Sequence, residues 1–355
     1  MDKGLRRKIG LIAMTTMLMI VSACGGGKAP VNSVPTEEAS PLPSATPTAE
    51  AEPLLPFIAP LTGLGRETEA LERPIAVMIN NLKPARPQSG LTNADIVWEV
   101  LAEGGITRLI AIFQSTDKLT DSIGPIRSIR PYLIDIGESY GAVLTHAGAS
   151  NDAYAILQQQ KKPYLDEISN AGSYFWRSKD RKAPHNLYAS LEKLRTGIEK
   201  RGYRTDVTVP TYPFNEQGST LTGMPATSVE IEFTLKNYKV SYSYDQTSGT
   251  YKRSINNEPH IDMNNDEQLS AMNLVVLGAN HKTLDDVGRM SVDLKAGGSA
   301  VLFQQGKAIE CTWVRSGDNM IRIMKDGAEL PFIPGKTYFH VVPNSPTFAD
   351  HLVYG

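Results

Sequence analysis

The sequence has very few cysteines and no long apolar run after its first 23 residues. Cys24 and Cys311 are the only two cysteines among 355 residues. If Cys24 carries a lipid, Cys311 has no partner and no intramolecular disulfide can form. No stretch beyond Cys24 approaches the ~20 apolar residues of a membrane-spanning helix. We therefore expect the rest of the chain to fold outside the bilayer and to depend on packing for its stability.

The sequence also lacks a basic excess and most catalytic motifs. It has 36 Lys and Arg against 38 Asp and Glu, a formal net charge of -2. This balance argues against a general nucleic-acid binder, which needs a basic surface. It contains no complete phosphate-binding loop, no kinase motif set, no His-Glu-x-x-His and no Cys-x-x-Cys. We therefore expect no cofactor and no metal site.

The beginning of the chain has the pattern of an export signal. Its basic head contains Lys3, Arg6, Arg7 and Lys8. The apolar run from Ile9 to Val21 has only ~13 residues, which is typical of a secretory signal and too short for a membrane span. The next residues complete Val-Ser-Ala-Cys24, which resembles the bacterial lipobox. We predict a signal peptide at residues 1–23 and a lipidated Cys24; the alternative is an ordinary signal with an incidental cysteine.

Composition divides the remaining chain into a tether and two folded regions. Residues 24–58 are rich in Pro, Ser, Thr and Glu and predict an extended linker. Residues 59–215 alternate short apolar strands with helical segments, which indicates an α/β layered domain. Residues 228–350 contain alternating strands and turn dipeptides, which indicate a mostly antiparallel β domain. The expected fold class is therefore mixed, α+β.

Strand and helix signals are clearest in the first folded region. Strands are predicted at 75–79, 95–103 and 106–114, the last two joined as a hairpin through Gly104-Gly105. A helix is predicted from Ser128, with Pro131 in its first turn, and ends at Gly141. Further helices are predicted at 150–160 and 187–201, with a strand at 142–145 between the first two.

Two arginines stand at the predicted start of the first helix, in Gly-Pro-Ile-Arg127-Ser-Ile-Arg130-Pro. A helix N-terminus already carries positive charge, so two guanidinium groups there need an anion nearby. One hypothesis is a pocket for phosphate, carboxylate or a sugar acid, with Arg108 close by. The alternative is an internal ion-pair network with the carboxylates Asp95, Glu99 and Glu103, which share one strand face by a period of two.

Two histidines follow later in the same region. His146 lies at a predicted strand end, where layered α/β sheets commonly bind ligands, and His185-Asn186 lies in a loop. His146 and Asn186 are therefore further candidates for an anion site. As candidate catalytic residues the sequence offers Glu99, Glu103, His146 and His185, and nothing in their spacing is diagnostic of a metal site.

Six segments occur in a fixed order along the chain: Val-Ser-Ala-Cys24, Arg73–Asn81, Ala94–Arg108, Gly124–Pro131, Ala183–Tyr188 and Gly249–Arg253. This order resembles the YerB-type lipoproteins of Gram-positive bacteria. The resemblance covers most of the chain from about residue 60. It implies lipid anchoring, an N-terminal α/β domain and a C-terminal β domain. It implies no activity, because that family has no assigned one.

These observations favour a lipoprotein on the extracytoplasmic face of the cell membrane that binds an anionic envelope component or a protein partner. The alternative is a cell-envelope hydrolase or transferase acting on glycan or phosphodiester bonds. An enzyme needs two titratable groups that converge in a cleft, whereas a binding protein needs only accessible arginines. The sequence favours the hypothesis of a binding protein over that of an enzyme. It identifies neither the ligand nor the oligomeric state.

Overall fold

This computed structural model describes residues 55–355. The predicted signal peptide, Cys24 and most of the predicted tether lie outside the described residues. A short strand pair begins at Phe57, just before the predicted domain boundary at residue 59. No helix among the described residues is long and apolar enough to cross a membrane.

Three α-helices lie in the first folded region. They are α1 (Pro131–Ser139), α2 (Asn151–Gln159) and α3 (Leu191–Lys200). Helix α1 begins at Pro131 and not at Ser128, because the residue before a proline avoids helical torsion angles and Arg130 is extended. Helix α3 begins later than predicted because residues 187–188 form a strand and the Ser190 side chain caps the helix.

Strands are the commonest regular element of the described residues. In the first region these are β1 (Phe57–Ile58), β2 (Gly65–Arg66), β3 (Ile75–Asn80), β4 (Ile96–Leu101), β5 (Thr107–Phe113), β6 (Val143–His146), β7 (Tyr164–Asp166), β8 (Trp176–Arg177) and β9 (Leu187–Tyr188). In the second they are β10 (Met224–Pro225), β11 (Ser228–Glu232), β12 (Lys239–Asp245), β13 (Thr250–Ile255), β14 (Glu258–Pro259), β15 (Ser270–Ala271), β16 (Asn273–Thr283), β17 (Met290–Asp293), β18 (Gly298–Gln304), β19 (Lys307–Arg315), β20 (Ile321–Lys325), β21 (Ala328–Glu329), β22 (Thr337–Pro343) and β23 (Leu352–Tyr354).

One large sheet runs through both regions. Its described strands have the order β21-β20-β19-β18-β16-β22-β4-β5-β3-β6-β7, with β10 beside β19 and β17 beside β16. Strand β22 is parallel to both β16 and β4, with Thr337 paired to Asn273 on one side and Ile96 on the other. The predicted β4–β5 hairpin is present, with Leu101 opposite Thr107. The sequence did not predict the parallel pairing of β4 with β22, which joins the two regions in one sheet.

A second sheet is antiparallel throughout its described strands. Its order is β14-β13-β12-β11-β23, with β15 beside β13. The turn dipeptide Ser248-Gly249 connects β12 to β13, and Gly249 has φ +67°, which glycine adopts without steric cost. Together with the three helices, these sheets make the mixed α+β fold that the sequence predicts.

The core covers both faces of the large sheet. On β3, Val77 belongs to a cluster with Tyr251 of the second sheet, whereas its neighbour Met78 belongs to a cluster with Leu133 of α1. Both residues are fully buried. A strand buried on both faces reads as a continuous apolar run, which explains the sequence Ile-Ala-Val-Met-Ile.

Candidate functional site

Parallel strands of the large sheet end together at one edge. Strands β3, β6 and β7 are neighbours and parallel, and they end at Asn80, His146 and Asp166. The carboxyl edge of parallel strands is a common ligand location in layered sheets. The loop residues Arg127 and His185 lie at the same edge. We call Asn80, Arg127, His146, Asp166 and His185 the edge site.

Backbone hydrogen bonds hold Arg127 between the ends of β3 and β6. Its N–H donates to the carbonyl oxygen of Met78 at 2.8 Å. Its own carbonyl oxygen accepts from the N–H of Ala147 at 3.0 Å. The segment around Arg127, which was predicted to begin a helix, therefore crosses the carboxyl ends of β3 and β6. It positions Arg127 at that edge of the sheet.

The other two candidate arginines have an internal counter-charge. Arg108 lies 3.2 Å and Arg130 lies 2.8 Å from the carboxylate of Glu103. Burial is the largest influence on Arg108 and lowers its pKa to about 10. Burial raises the pKa of Glu103, but the two guanidinium charges outweigh it and leave that pKa below its ordinary value. Glu103 therefore stays ionised and pairs with Arg108 and Arg130.

Arg127 has no such partner among the described residues. Its Nε is buried without a hydrogen-bond acceptor, and no carboxylate lies within ion-pair distance of its guanidinium. A guanidinium presents five donors and is never deprotonated in proteins, so its charge persists at this edge. Arg127 is thus the candidate arginine whose counter-anion could come from outside.

His185 lies beside Arg127. Its Nδ1 is 2.9 Å from Nδ2 of Asn80, an amide nitrogen that can only donate. Partial burial and then the positive charges of Arg127 and Arg181 lower the pKa of His185 below its ordinary 6.5. The ring is therefore neutral at pH 7. Because Nδ1 accepts from Asn80, its proton lies on Nε2, which is a donor.

His146 is fully buried at the same edge, and its Nε2 has no hydrogen-bond partner among the described residues. Its Nδ1 is 3.0 Å from the carbonyl oxygen of Gly148 and 3.5 Å from Asp166. Burial, the largest influence, lowers its pKa to about 4 against the opposing effect of Asp166. Asp166 also accepts from the N–H of Gly148 at 2.7 Å and from Tyr154 at 2.8 Å. These contacts are internal and tie β6 and β7 to α2.

Asn186 is also used internally. Its side-chain oxygen accepts from Arg177 at 3.2 Å, and its amide donates to the carbonyl oxygen of Ser178 at 2.9 Å. Arg177 in turn lies 3.1 Å from Glu167. Asn186, which is 8% exposed, therefore holds its own loop together.

Glu99 lies on the opposite face of the sheet from Arg108. Arg108 pairs with Val100 and Glu99 pairs with Leu109, and adjacent residues of a strand point to opposite faces. The Glu99 carboxylate instead lies 2.8 Å from Arg253 and 3.2 Å from His340. The hypothesis that Glu99 belongs to an ion-pair network with Arg108, Arg127 and Arg130 is therefore wrong. The strand reaches only from Ile96 to Leu101, so Asp95 and Glu103 are outside it.

None of the four candidate catalytic residues forms an acid–base pair with another. Glu99 is held ionised because Arg253 and His340 outweigh its burial and place its pKa far below the ordinary value. Glu103 lies between two arginines, so neither carboxylate can act as a general acid near neutral pH. Among the described hydrogen bonds and ion pairs, His146 and His185 contact neither of them. The geometry gives no support to the enzyme alternative.

One motif was overlooked in the sequence. Residues 137–141 read Gly-Glu-Ser-Tyr-Gly and match the Gly-x-Ser-x-Gly pattern of hydrolases. That pattern needs an exposed serine on a turn between a strand and a helix. Ser139 instead ends helix α1, is 5% exposed, and donates its hydroxyl to the carbonyl oxygen of Ile136 at 2.7 Å. The match therefore does not form a nucleophile elbow.

The chain matches two family profiles. Residues 61–204 match the N-terminal domain and residues 229–339 the C-terminal domain of "Protein of unknown function (DUF3048)". The chain is also 37% identical over 292 residues to "Putative lipoprotein YerB" of Bacillus subtilis strain 168. That alignment covers 81% of this chain and 86% of the relative. The chain belongs to the DUF3048 family.

A solved member of the family has the same fold. The crystal structure of the YerB protein from Bacillus subtilis superposes with a TM-score of 0.76 and 35% sequence identity. The match covers 84% of this chain and 99% of that one. The resemblance inferred from the ordered sequence segments is therefore confirmed.

The DUF3048 chain also contains a buried polar network that sequence reasoning missed. It joins Glu99, in the N-terminal family domain, to Arg253, in the C-terminal one. A signal for Arg253 existed in the strand pattern. Tyr251, Arg253 and Ile255 alternate along β13 and are all buried, so a period of two placed a charge on the core face. A charge at such a position needs a buried partner.

Proposed function

We propose that this DUF3048 protein is a lipoprotein anchored by Cys24 on the extracytoplasmic face of the membrane, where its edge site binds an anionic group. The lipobox-like sequence and the lipoprotein relative support the anchor. The contrast among the three arginines supports the site. Arg108 and Arg130 share Glu103, whereas Arg127 has no carboxylate partner among the described residues.

The donors of the edge site suit a phosphate or carboxylate. Arg127 supplies a charged fork, and guanidinium groups bind both anions through two parallel hydrogen bonds. His185 adds the Nε2 donor that its contact with Asn80 leaves free. Arg181 adds positive charge, as its effect on the His185 pKa indicates. The ligand is therefore an anionic group of an envelope component or of a protein partner.

Titration calorimetry of the purified full-length protein in detergent tests the edge site. The probes are inorganic phosphate and glucuronate, each at low and high salt. Binding should weaken at high salt because ions screen the arginines. Arg127→Gln should weaken it about tenfold or more, since a charge-assisted hydrogen bond contributes roughly 1.5–3 kcal/mol.

A matched arginine provides the control. Arg204 has 75% of its side chain exposed and lies 3.8 Å from Asp206, away from the edge site. Arg204→Gln should leave both affinities unchanged. If neither anion binds, or if Arg127→Gln binds as well as the unaltered protein, the edge site is not an anion site.

The anchor is tested separately by fractionation. Cys24→Ala removes the sulfur that would carry the lipid, so the protein should leave the membrane fraction. Cys311→Ala is the control and should stay with the membrane. If Cys24→Ala remains there in the same amount as the unaltered protein, Cys24 is not the anchor.

A further inference from the structure

A cleft opens where the loop after β3 meets the second sheet. It consists of two cavities of about 410 and 290 Å³. Both are lined by Lys83, Arg86 and Asn256, which lie between them. We call this pair of cavities the Arg86 cleft. Each cavity by itself lies near the lower end of the range for small-molecule pockets, about 300–1,000 Å³.

Arg86 is half-buried and unpaired in this cleft. None of its guanidinium nitrogens makes a hydrogen bond or ion pair with another described residue, and its Nε is buried. Its guanidinium carbon lies 5.5 Å from the ring centroid of Tyr238. Burial and then the charge of Arg253 lower its pKa, opposed by Tyr238 and Glu99. A buried donor without an acceptor is unfavourable, and a bound anion would supply one.

The nearby carboxylate of Glu99 forms no ion pair with Arg86, because both of its oxygens already accept hydrogen bonds from other side chains. They accept from Arg253 at 2.8 Å, Tyr238 at 2.5 Å and Thr107 at 2.7 Å. Burial is the largest influence on Tyr238 and, with the charge of Glu99, raises its pKa far above the ordinary value, so its hydroxyl stays protonated and donates.

The remaining charges leave the cleft positive. Lys83 is exposed at its rim, and Glu258 is an exposed carboxylate on the wall of the larger cavity. Glu258 forms no ion pair with either cation, since no such pair occurs within 4.0 Å among the described residues. Burial lowers the pKa of His260, at the base, well below its ordinary value, so that ring is neutral. Lys83 and Arg86 therefore exceed the single carboxylate by one charge.

Apolar side chains line the larger cavity beside these cations. Ile255, Pro259 and Ile261 form its wall. The smaller cavity is lined by the amides of Asn81, Asn237 and Asn256 together with the apolar side chains of Leu82, Ile106 and Leu235. A ligand with an anionic group beside Arg86 and an apolar group beside Ile255 and Ile261 would complement both the charged and the apolar side chains of the cleft.

We propose that the Arg86 cleft binds a small soluble organic phosphate, a phosphate monoester carrying an apolar group. Arg86 holds the phosphate through its fork, Lys83 adds a second charge, and Ile255 and Ile261 contact the apolar body. A guanidinium matches phosphate geometry in two parallel hydrogen bonds. This site goes beyond the proposed function and uses different side chains from the edge site. Asn80 contacts His185 of the edge site, whereas the next residue, Asn81, lines the Arg86 cleft.

The test is a calorimetric titration of the full-length protein carrying Arg127→Gln, which removes the main cation of the edge site. The probes are phenyl phosphate, inorganic phosphate and benzyl alcohol. Phenyl phosphate should bind at least about tenfold more tightly than either of the others, because only it has both the charge and the apolar group. Adding Arg86→Gln should weaken phenyl phosphate about tenfold or more.

Two further variants keep the outcome unambiguous. Lys83 is exposed, so Lys83→Gln leaves the fold intact and should weaken phenyl phosphate by up to about fivefold, as an exposed charge does. Arg204→Gln is the matched control and should change nothing. Unchanged affinity in both Arg86→Gln and Lys83→Gln would overturn the proposal. So would equal binding of phenyl phosphate and inorganic phosphate, or no binding of phenyl phosphate.

Discussion

Glu99 and Arg253 form a buried ion pair with 2.8 Å between oxygen and nitrogen, although 154 residues separate them in sequence. Their side chains are 1% and 2% exposed. Each has further partners, since Arg253 donates to Tyr242 at 2.8 Å and to His260 at 2.9 Å. The pair therefore connects β4 of the large sheet with β13 of the second sheet and fixes their relative position.

Removing one charge of this pair should destabilise the protein strongly. Glu99→Gln leaves the Arg253 guanidinium buried without its counter-charge, which costs about 3–5 kcal/mol in comparable cases. The free energy of unfolding is measured by urea denaturation followed by circular dichroism.

An exposed ion pair serves as control for that experiment. Arg204 and Asp206 lie 3.8 Å apart with 75% and 89% of their side chains exposed. Asp206→Asn should change the free energy of unfolding by less than about 1 kcal/mol. A loss of similar size for Glu99→Gln would mean that the buried network contributes no more than a surface pair.

Local patterns in the sequence predicted most elements that depend on neighbouring residues. The β4–β5 hairpin was predicted from two apolar runs separated by Gly104-Gly105, and α2 was predicted at 150–160 and begins directly after its N-cap, Ser150. Both need contacts only between residues near in sequence. The errors at helix starts have local causes too, since the residue before Pro131 could have been excluded from α1.

Long-range pairings could not be predicted in the same way. Strand β22 pairs with β4 across most of the chain, and Thr337 opposite Ile96 leaves no periodic signal in either segment. Likewise, the period of two showed which residues share a strand face with Glu99. It did not show which arginine packs against that face. Arg108 was closer in sequence, yet its register beside Val100 places it on the other face. The sequence therefore predicted His146 at a strand end but placed Arg127 at a helix start, and it did not identify Asn80 or Asp166 as part of the site.

His146 should make stability fall as pH decreases below neutrality. Burial lowers its folded pKa to about 4 from an ordinary 6.5, so between these values the unfolded chain binds a proton that the folded chain does not. The contribution of His146 to stability is then greatest above pH 6.5 and falls by at most about 1.4 kcal/mol per pH unit down to pH 4. Other histidines with lowered pKa values, such as His260, add to the total slope. Urea denaturation at pH 7, 6 and 5 measures the slope.

The variant His146→Asn isolates this contribution. Its amide can still donate to the Gly148 carbonyl oxygen but does not titrate. The difference between pH 7 and pH 5 should shrink by roughly 1–2 kcal/mol relative to the unaltered protein, while other histidines contribute equally to both. Identical slopes in the two proteins would mean that His146 does not titrate as its burial requires.

Gly137 should resist replacement by alanine even though alanine is the better helix former. It lies in α1, and an added Cβ would come within van der Waals overlap of Leu144 Cδ2 and 3.2 Å from Ala76 Cβ. Overpacking of a buried contact costs about 1–3 kcal/mol, which exceeds the gain of about 1 kcal/mol in helix propensity. Gly317→Ala is the control, because its Cβ would meet nothing within 4 Å and its φ is not positive. Thermal denaturation should therefore show a lower Tm for Gly137→Ala alone; an unchanged or higher Tm would mean that α1 can move away from β6 without loss.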